Sequence, residues 1–198
     1  MRETKMLRQL GPAIRITLFF TVLTGLIYPG VITGLCQLIF PSKSNGSLIS
    51  VNGQVVGSAL LGQNFSKPEY FQPRPSAAGN DGYDPMASGG SNFGPTNQKL
   101  IDRVQATAEK FHKDNPDFSG PIPSDMVTAS GSGLDPDLSP ASALAQAPRI
   151  AKARAVNANV IRELISSQIQ NRQLGFLGEP RVNVLALNSR LDEQFPRK

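Results

Sequence analysis

Residues 16–40 read ITLFFTVLTGLIYPGVITGLCQLIF, an uncharged and largely apolar run that limits what the rest of the chain can be. A hydrocarbon core of about 30 Å needs roughly 20 apolar residues in a helix, so the run is long enough to cross a bilayer with tilt to spare. From Pro41 onward, apolar stretches are short and broken by Gly, Pro or charge. The expected plan is a basic N-terminus over 1–15, one transmembrane helix over 16–40, and one soluble domain over 41–198. A cleaved signal peptide fits poorly, because its apolar core is about 7–15 residues and ends in small residues of the A-x-A type. No such site lies near Phe40, and Leu35 stands where a lipidated Cys36 would require a small residue.

Basic residues orient the span. Arg2, Lys5, Arg8 and Arg15 precede it against Glu3 alone, and only Lys43 follows closely. The positive-inside rule then predicts a cytoplasmic N-terminus and an extracytoplasmic domain, periplasmic or extracellular. The N-terminal bases carry much of the formal charge of +5. What remains on the large domain is no nucleic-acid footprint, and the basic end suits anionic lipid headgroups.

Within the span, Gly30 and Gly34 form a G-x-x-x-G face on which a partner helix can approach closely. Pro29 is expected to kink the helix near Leu26 or remove a ladder bond there. The single Cys, inside the span, rules out an intrachain disulfide. With His112 the only histidine, a zinc site of the usual ligands is excluded, and its neighbours Lys110, Lys113 and Asp114 mark a solvated helix face.

In the soluble part, Asn52-Gly53 within SLISVNGQVVGSALLG predicts a β-hairpin that packs on the core following it. A polar passage from Gln63 to Asn97 carries Phe65, Tyr70, Phe71, Tyr83 and Phe93. Aromatics are costly to leave in a solvated coil, so this is an ordered loop rather than a linker. Within it, Ser88, Gly89, Gly90, Ser91 and Asn92 resemble an anion loop in composition, but no G-K-[ST] follows and a tight turn is the simpler reading. Leu100, Val104, Ala108 and Phe111 predict an amphipathic helix from residue 98, capped by Thr96 or Asn97. After a second Gly/Pro/Ser stretch, Ser139-Pro140 opens a helix over 141–155, which Pro148 must kink or divide after Ala147. A further helix is expected over 157–172. The apolar run 182–187 reads as a buried strand or short helix, with its β-branched residues favouring the strand.

These pieces make an α+β domain with long Gly/Pro-rich loops. Catalytic chemistry is hard to find in it. Asp81/Asp84 and Asp135/Asp137 sit in turn-like sequence, where Asp bonds its own backbone, and no G-x-S-x-G elbow is present. The residues point to an anchored interaction module rather than a hydrolase.

The strings GSALLGQNF (57–65), YFQPRPSA (70–77), YDPMASGGSNFGPTN (83–97), VTASGSGLDPDLSP (127–140) and GFLGEPRVNVLALN (175–188), with Gln146 and Arg149 between the last two, resemble the C subunit of the Kdp potassium-transporting ATPases. The resemblance covers nearly the whole chain, span included. It implies a non-catalytic subunit of the inner-membrane potassium uptake pump. Its implied partners are a potassium-selective channel-like subunit, a P-type ATPase subunit and a small lipid-embedded peptide. It also implies a catalytic-chaperone role, raising the ATP affinity of the ATPase subunit. A Q-x-x-R glutamine is proposed to contact nucleotide in that family, and the pattern falls on Gln146 and Arg149, making ATP a transient ligand with no tightly bound cofactor.

Residues three apart on a helix share a face, so an amide beside a guanidinium can hold a base edge or phosphate. An ordinary polar surface is the plainer alternative. Pro148 between the two, and the predicted side of the domain, stand against nucleotide binding. An external domain sits more naturally over the entrance of the potassium-selective subunit, assembling the pump. For that role the candidate contacts are Tyr70, Phe71, Arg74, residues 88–92, Ser130 and Asp135.

Overall fold

The computed structural model describes residues 3–196; Arg2, counted above among the orienting bases, lies outside that range. The chain divides after Ser47 into two units, each of which is described by itself.

The first unit is a helical rod. Helix α1 (Glu3–Val22) passes through a π-helical turn at Leu23–Ile27 into α2 (Tyr28–Ile39), and a short α3 (Pro41–Ser44) follows. Over Leu7–Ile39 the rod is long and apolar enough to cross a membrane, and its most apolar window is unburied, as an anchor requires. The π turn is the outcome of Pro29. A proline ring crowds the carbonyl four residues back, here Gly25, and offers no N–H. The wider turn relieves that crowding, with Tyr28 N–H donating five residues back to Leu23 O.

The second unit begins with β1 (Leu48–Val51) and β2 (Gln54–Ser58), paired antiparallel with Val51 opposite Gln54 and a register shift between Ile49 and Ser50. Asn52 and Gly53 take positive φ of 52° and 79°, as the sequence predicts for the turn. The hairpin is not packed into the core as expected, since none of its strand residues is buried. It touches the rest of the unit near Gly57, where an added Cβ would stand 2.8 Å from Leu185.

The core forms where α4 (Gln98–Asp114), α5 (Pro140–Arg154), α6 (Ala158–Ser167) and α7 (Val184–Gln194) present Phe111, Ile150, Ile161, Ile165, Leu187 and Leu191 to one another, closed by Phe71 and Leu138. Asn97 caps α4, its side chain accepting from Lys99 N–H, and Ser139 caps α5 by accepting from Ser142 N–H. A two-residue pair, β3 (Asp137–Leu138) with β4 (Val182–Asn183), ties the start of α5 to the start of α7.

Three expectations are corrected. Of the two outcomes expected at Pro148, a kink or a division after Ala147, the division does not occur, since α5 runs unbroken through it. The carbonyl it deprives of a partner belongs to Leu144, 40% exposed on the outer face of the helix, where it is open to solvent. Helix α6 stops at Ser167 rather than 172, because Gln170 turns away to bridge Arg181. Of the run 182–187, only Val182 and Asn183 are strand. Asn183 Oδ1 accepts from Ala186 N–H at 3.0 Å and starts α7, and buried Val184, Leu187, Asn188 and Leu191 then recur at helical spacing.

Candidate functional site

Helix α5 is patterned against the usual rule: Leu144 faces outward, while Ser142, Gln146 and Arg149 face inward with 0%, 0% and 8% of their surface exposed. Buried polar side chains must find partners, and these find them in an extended segment of the first long loop. Gln146 Oε1 accepts from the backbone N–H of Gln72 at 2.8 Å, and Gln146 Nε2 donates to the carbonyl of the same residue at 3.1 Å. Helix α7 makes the equivalent grip one residue earlier. Phe71 N–H donates to Asn188 Oδ1 at 2.9 Å, and Asn188 Nδ2 donates to Phe71 O at 3.0 Å. Two side-chain amides thus play the part that a neighbouring strand plays in a sheet.

Arginines complete the grip. Arg149 donates through one terminal nitrogen to the carbonyls of Pro68 and Tyr70, through the other to Gln146 Oε1 at 2.7 Å, and through Nε to Asn115 Oδ1 at 2.9 Å. Arg154, its side chain 2% exposed, donates to Glu69 O at 3.1 Å, to Phe195 O at 2.8 Å and to Asp192 Oδ1 at 2.7 Å. Every carbonyl from Pro68 to Gln72 therefore receives a side-chain donor. Arg154 also lies 5.1 Å from the Tyr70 ring centre, and the Tyr70 hydroxyl donates to Asp192 Oδ2 at 2.7 Å. Burial pushes the Arg149 guanidinium down to about 10, against the opposing pull of Asp114 and Glu69. At neutral pH it remains a cation solvated by neutral oxygens.

Beyond the gripped segment, the two long loops bond each other. Arg74 pairs with Asp135 at 2.8 Å, and the Tyr83 hydroxyl donates to Arg74 O at 2.7 Å. Desolvation raises the Tyr83 hydroxyl well above its ordinary range, with the Asp135 carboxylate adding to the effect and Arg74 opposing it. Ser76 Oγ donates to Gly133 O at 2.6 Å, Ser88 Oγ to Ser132 O at 3.1 Å, and Gly89 N–H to Ser132 O at 2.8 Å. Gly133 takes φ +67°, and a Cβ there would stand 2.7 Å from Ala78 N, so the chains meet at van der Waals limits. Beside this seam a cleft of about 480 Å³ is lined by Arg74, Tyr83, Arg103 and Lys110. Its cations are largely tied, Arg74 to Asp135 and Lys110 to Asp114.

The residues singled out from sequence are distributed as follows. Gln146 and Arg149 come together, inside the molecule rather than on an ordinary polar surface. Tyr70 and Phe71 are core residues, 9% and 0% exposed, so they stand behind the surface of their loop and not on it. Ser130 is also buried, its hydroxyl accepting from Gly133 N–H at 2.8 Å. Segment 88–92 is irregular chain rather than the expected tight turn, leaning on the second loop with Asn92 at φ 52° and the Gly89 N–H directed to Ser132. Asp84 and Asp135 bond backbone N–H groups two residues ahead, as turn aspartates do. Gly30 and Gly34 have nothing within 4 Å of an added Cβ. Among the described residues no cluster of His, Cys, Asp or Glu is arranged to hold a metal ion.

Sequence reasoning missed Asn188, Asn115 and Asp192. Asn188 was findable: a polar residue one turn from Val184 and Leu191, on the buried stripe of a helix, marks an internal hydrogen bond. Asn115 and Asp192, at or near helix ends, carried no comparable mark.

A family model described as KdpC, the c chain of the K+-transporting ATPase, matches residues 10–193. A potassium-transporting ATPase KdpC subunit from Gemmatimonas aurantiaca is 55% identical over 94% of this chain and 94% of its own length. Proteins of the same description from Caulobacter vibrioides and Myxococcus xanthus are 55% and 52% identical, over 96% and 92% of this chain and 96% and 87% of theirs.

Proposed function

This chain belongs to the KdpC family, the non-catalytic c chains of K+-transporting ATPases, and from that membership we propose that it is the anchored assembly subunit of a potassium uptake pump. Its helical rod crosses the membrane with the N-terminus in the cytoplasm, following the excess of Arg and Lys before the span. The globular unit then lies outside, over the entrance of the potassium-selective subunit. Gly30 and Gly34 face a partner helix in the bilayer, and the exposed parts of the bonded loops face partner protein. The P-type ATPase subunit and the small peptide subunit complete the assembly. Any gain in the ATP affinity of the ATPase subunit passes through these protein contacts, with no nucleotide held by this chain.

One observation carries the last point. The Gln146 amide is fully buried, and both its oxygen and its nitrogen are bonded to the Gln72 peptide, with Arg149 on the oxygen as well. A nucleotide reaching this pair would have to displace the loop that the pair holds. The test is Gln146→Ala in the membrane-embedded pump, measuring recovery of assembled complex and the ATP concentration for half-maximal activity. The expected result is reduced recovery, with unchanged ATP dependence in the complex that survives. Full recovery with a raised ATP requirement would overturn the proposal in favour of direct nucleotide contact. Protease cleavage of a C-terminal tag in spheroplasts, but not in inverted vesicles, is the expected topology.

A further inference from the structure

Between α6 and α7 the chain leaves the core and returns, and every residue from Asn171 to Glu179 is exposed. Such an arm needs an explanation, because it carries Leu174, Phe176 and Leu177 at 83%, 69% and 48% exposure. It is not a slack loop. Gln170 and Arg181 exchange backbone hydrogen bonds at 2.8 and 3.0 Å, and Gln173 and Leu177 exchange a second pair at 2.9 Å each. Arg172 and Glu179 form an ion pair at 2.7 Å across the stem. The tip turns through Leu174 at φ +53° and Gly175 at φ +84°. A leucine in the left-handed region is disfavoured by its Cβ, so the turn is held in a conformation that its own residue resists.

We propose that the Leu174–Leu177 tip is a preformed apolar knob that seats in an uncharged, apolar pocket on another subunit of the pump. The inference rests on the assembly reading above. Two features select protein over lipid as the occupant. The arm is electrically neutral, Arg172 being paired with Glu179 and Arg181 with Asp137 at 2.9 Å, whereas a segment that lies on a bilayer keeps free cations for its headgroups. The fixed turn also matches what a shaped pocket rewards, since ordering the knob beforehand removes a cost of binding that a fluid lipid surface does not impose.

The test uses the full chain in its assembled pump, with a photo-crosslinking phenylalanine analogue at position 176 and an affinity tag on the chain. Irradiation of membranes is expected to join position 176 to another pump subunit, and Leu174→Ser with Leu177→Ser to lower that yield at least fivefold. The same double variant without the analogue should unfold at the wild-type temperature, because the tip touches no core. Crosslinks only to lipid, only to a second copy of this chain, or to nothing, while the tagged chain still co-purifies with the pump subunits, would overturn the knob and leave the assembly reading standing. Failure of the unaltered chain to co-purify with any pump subunit would instead remove the assembly reading.

Discussion

Asn188 and Phe71 lie 117 residues apart in sequence, yet the asparagine amide holds both polar groups of the phenylalanine backbone, at 2.9 and 3.0 Å. The pair couples the last helix to the first long loop at a point from which water is excluded, and Phe71 is itself fully buried. Truncating Asn188 to Ala should leave a buried N–H and a buried carbonyl unpaired. Each such group costs about 1–3 kcal/mol. Denaturant unfolding of the full chain in detergent should show a loss in that range or above. Asn188→Asp should not rescue it, since a carboxylate keeps the acceptor for Phe71 N–H but sets an anion against Phe71 O.

Gly133→Ala tests the seam between the loops. The left-handed backbone alone disfavours an alanine by roughly 1–2 kcal/mol. The new Cβ would also stand 2.8 Å from Gly89 O. A lowered melting temperature and faster protease cleavage within 83–97 are the expected results, and an unchanged protection pattern would show that the seam does not hold this loop.

Pro148→Ala should act in the opposite direction. The proline sits inside α5 and removes a bond to Leu144 O on an exposed face. Restoring that bond with a better helix former is worth up to about 3 kcal/mol. The expected readout is a higher melting temperature with unaltered recovery of the assembled pump.

Asp137 gives a pH signature. Burial raises its pKa above the ordinary value of 3.8, and Arg181 opposes the shift. A raised carboxyl retains its proton in the folded chain at pH values where the unfolded chain has released it. Its contribution to stability is therefore fullest below the ordinary value and falls as pH rises through the window above it. Subtracting the pH profile of Asp137→Asn from that of the unaltered chain, between pH 3 and 7, should leave a difference that declines with rising pH.

Much of this architecture is legible from residue order because the features are local. The span, the Asn52-Gly53 turn, the Asn97 and Ser139 caps and the α4 stripe each depend on neighbours within a turn or two. The reading fails where a distant partner decides. Val182, Val184 and Leu185 have strand-like or neutral propensity, and it is the Asn183 cap, itself donating to Ala59 O at 2.9 Å, that converts the run into a helix. Likewise Gln146 and Arg149 look like a recognition face when the helix is drawn alone. Their inward direction follows from the carbonyls of residues 68–72, which no helical pattern can reveal.

The π-helical turn at Leu23–Ile27 amounts to one residue more than a plain α-helix would need. Each residue advances an α-helix by about 100°. The wider turn advances each of its residues by less, so it takes up the extra residue with little net rotation, and the helix before it faces, relative to Gly30 and Gly34, much as it would on a plain α-helix one residue shorter. Inserting or deleting a residue elsewhere in the anchor, with no such turn to absorb it, should swing one half against the other by about 100°. The turn thus works as a take-up of length, letting the sequence carry an additional residue while the two halves of the anchor keep their facing.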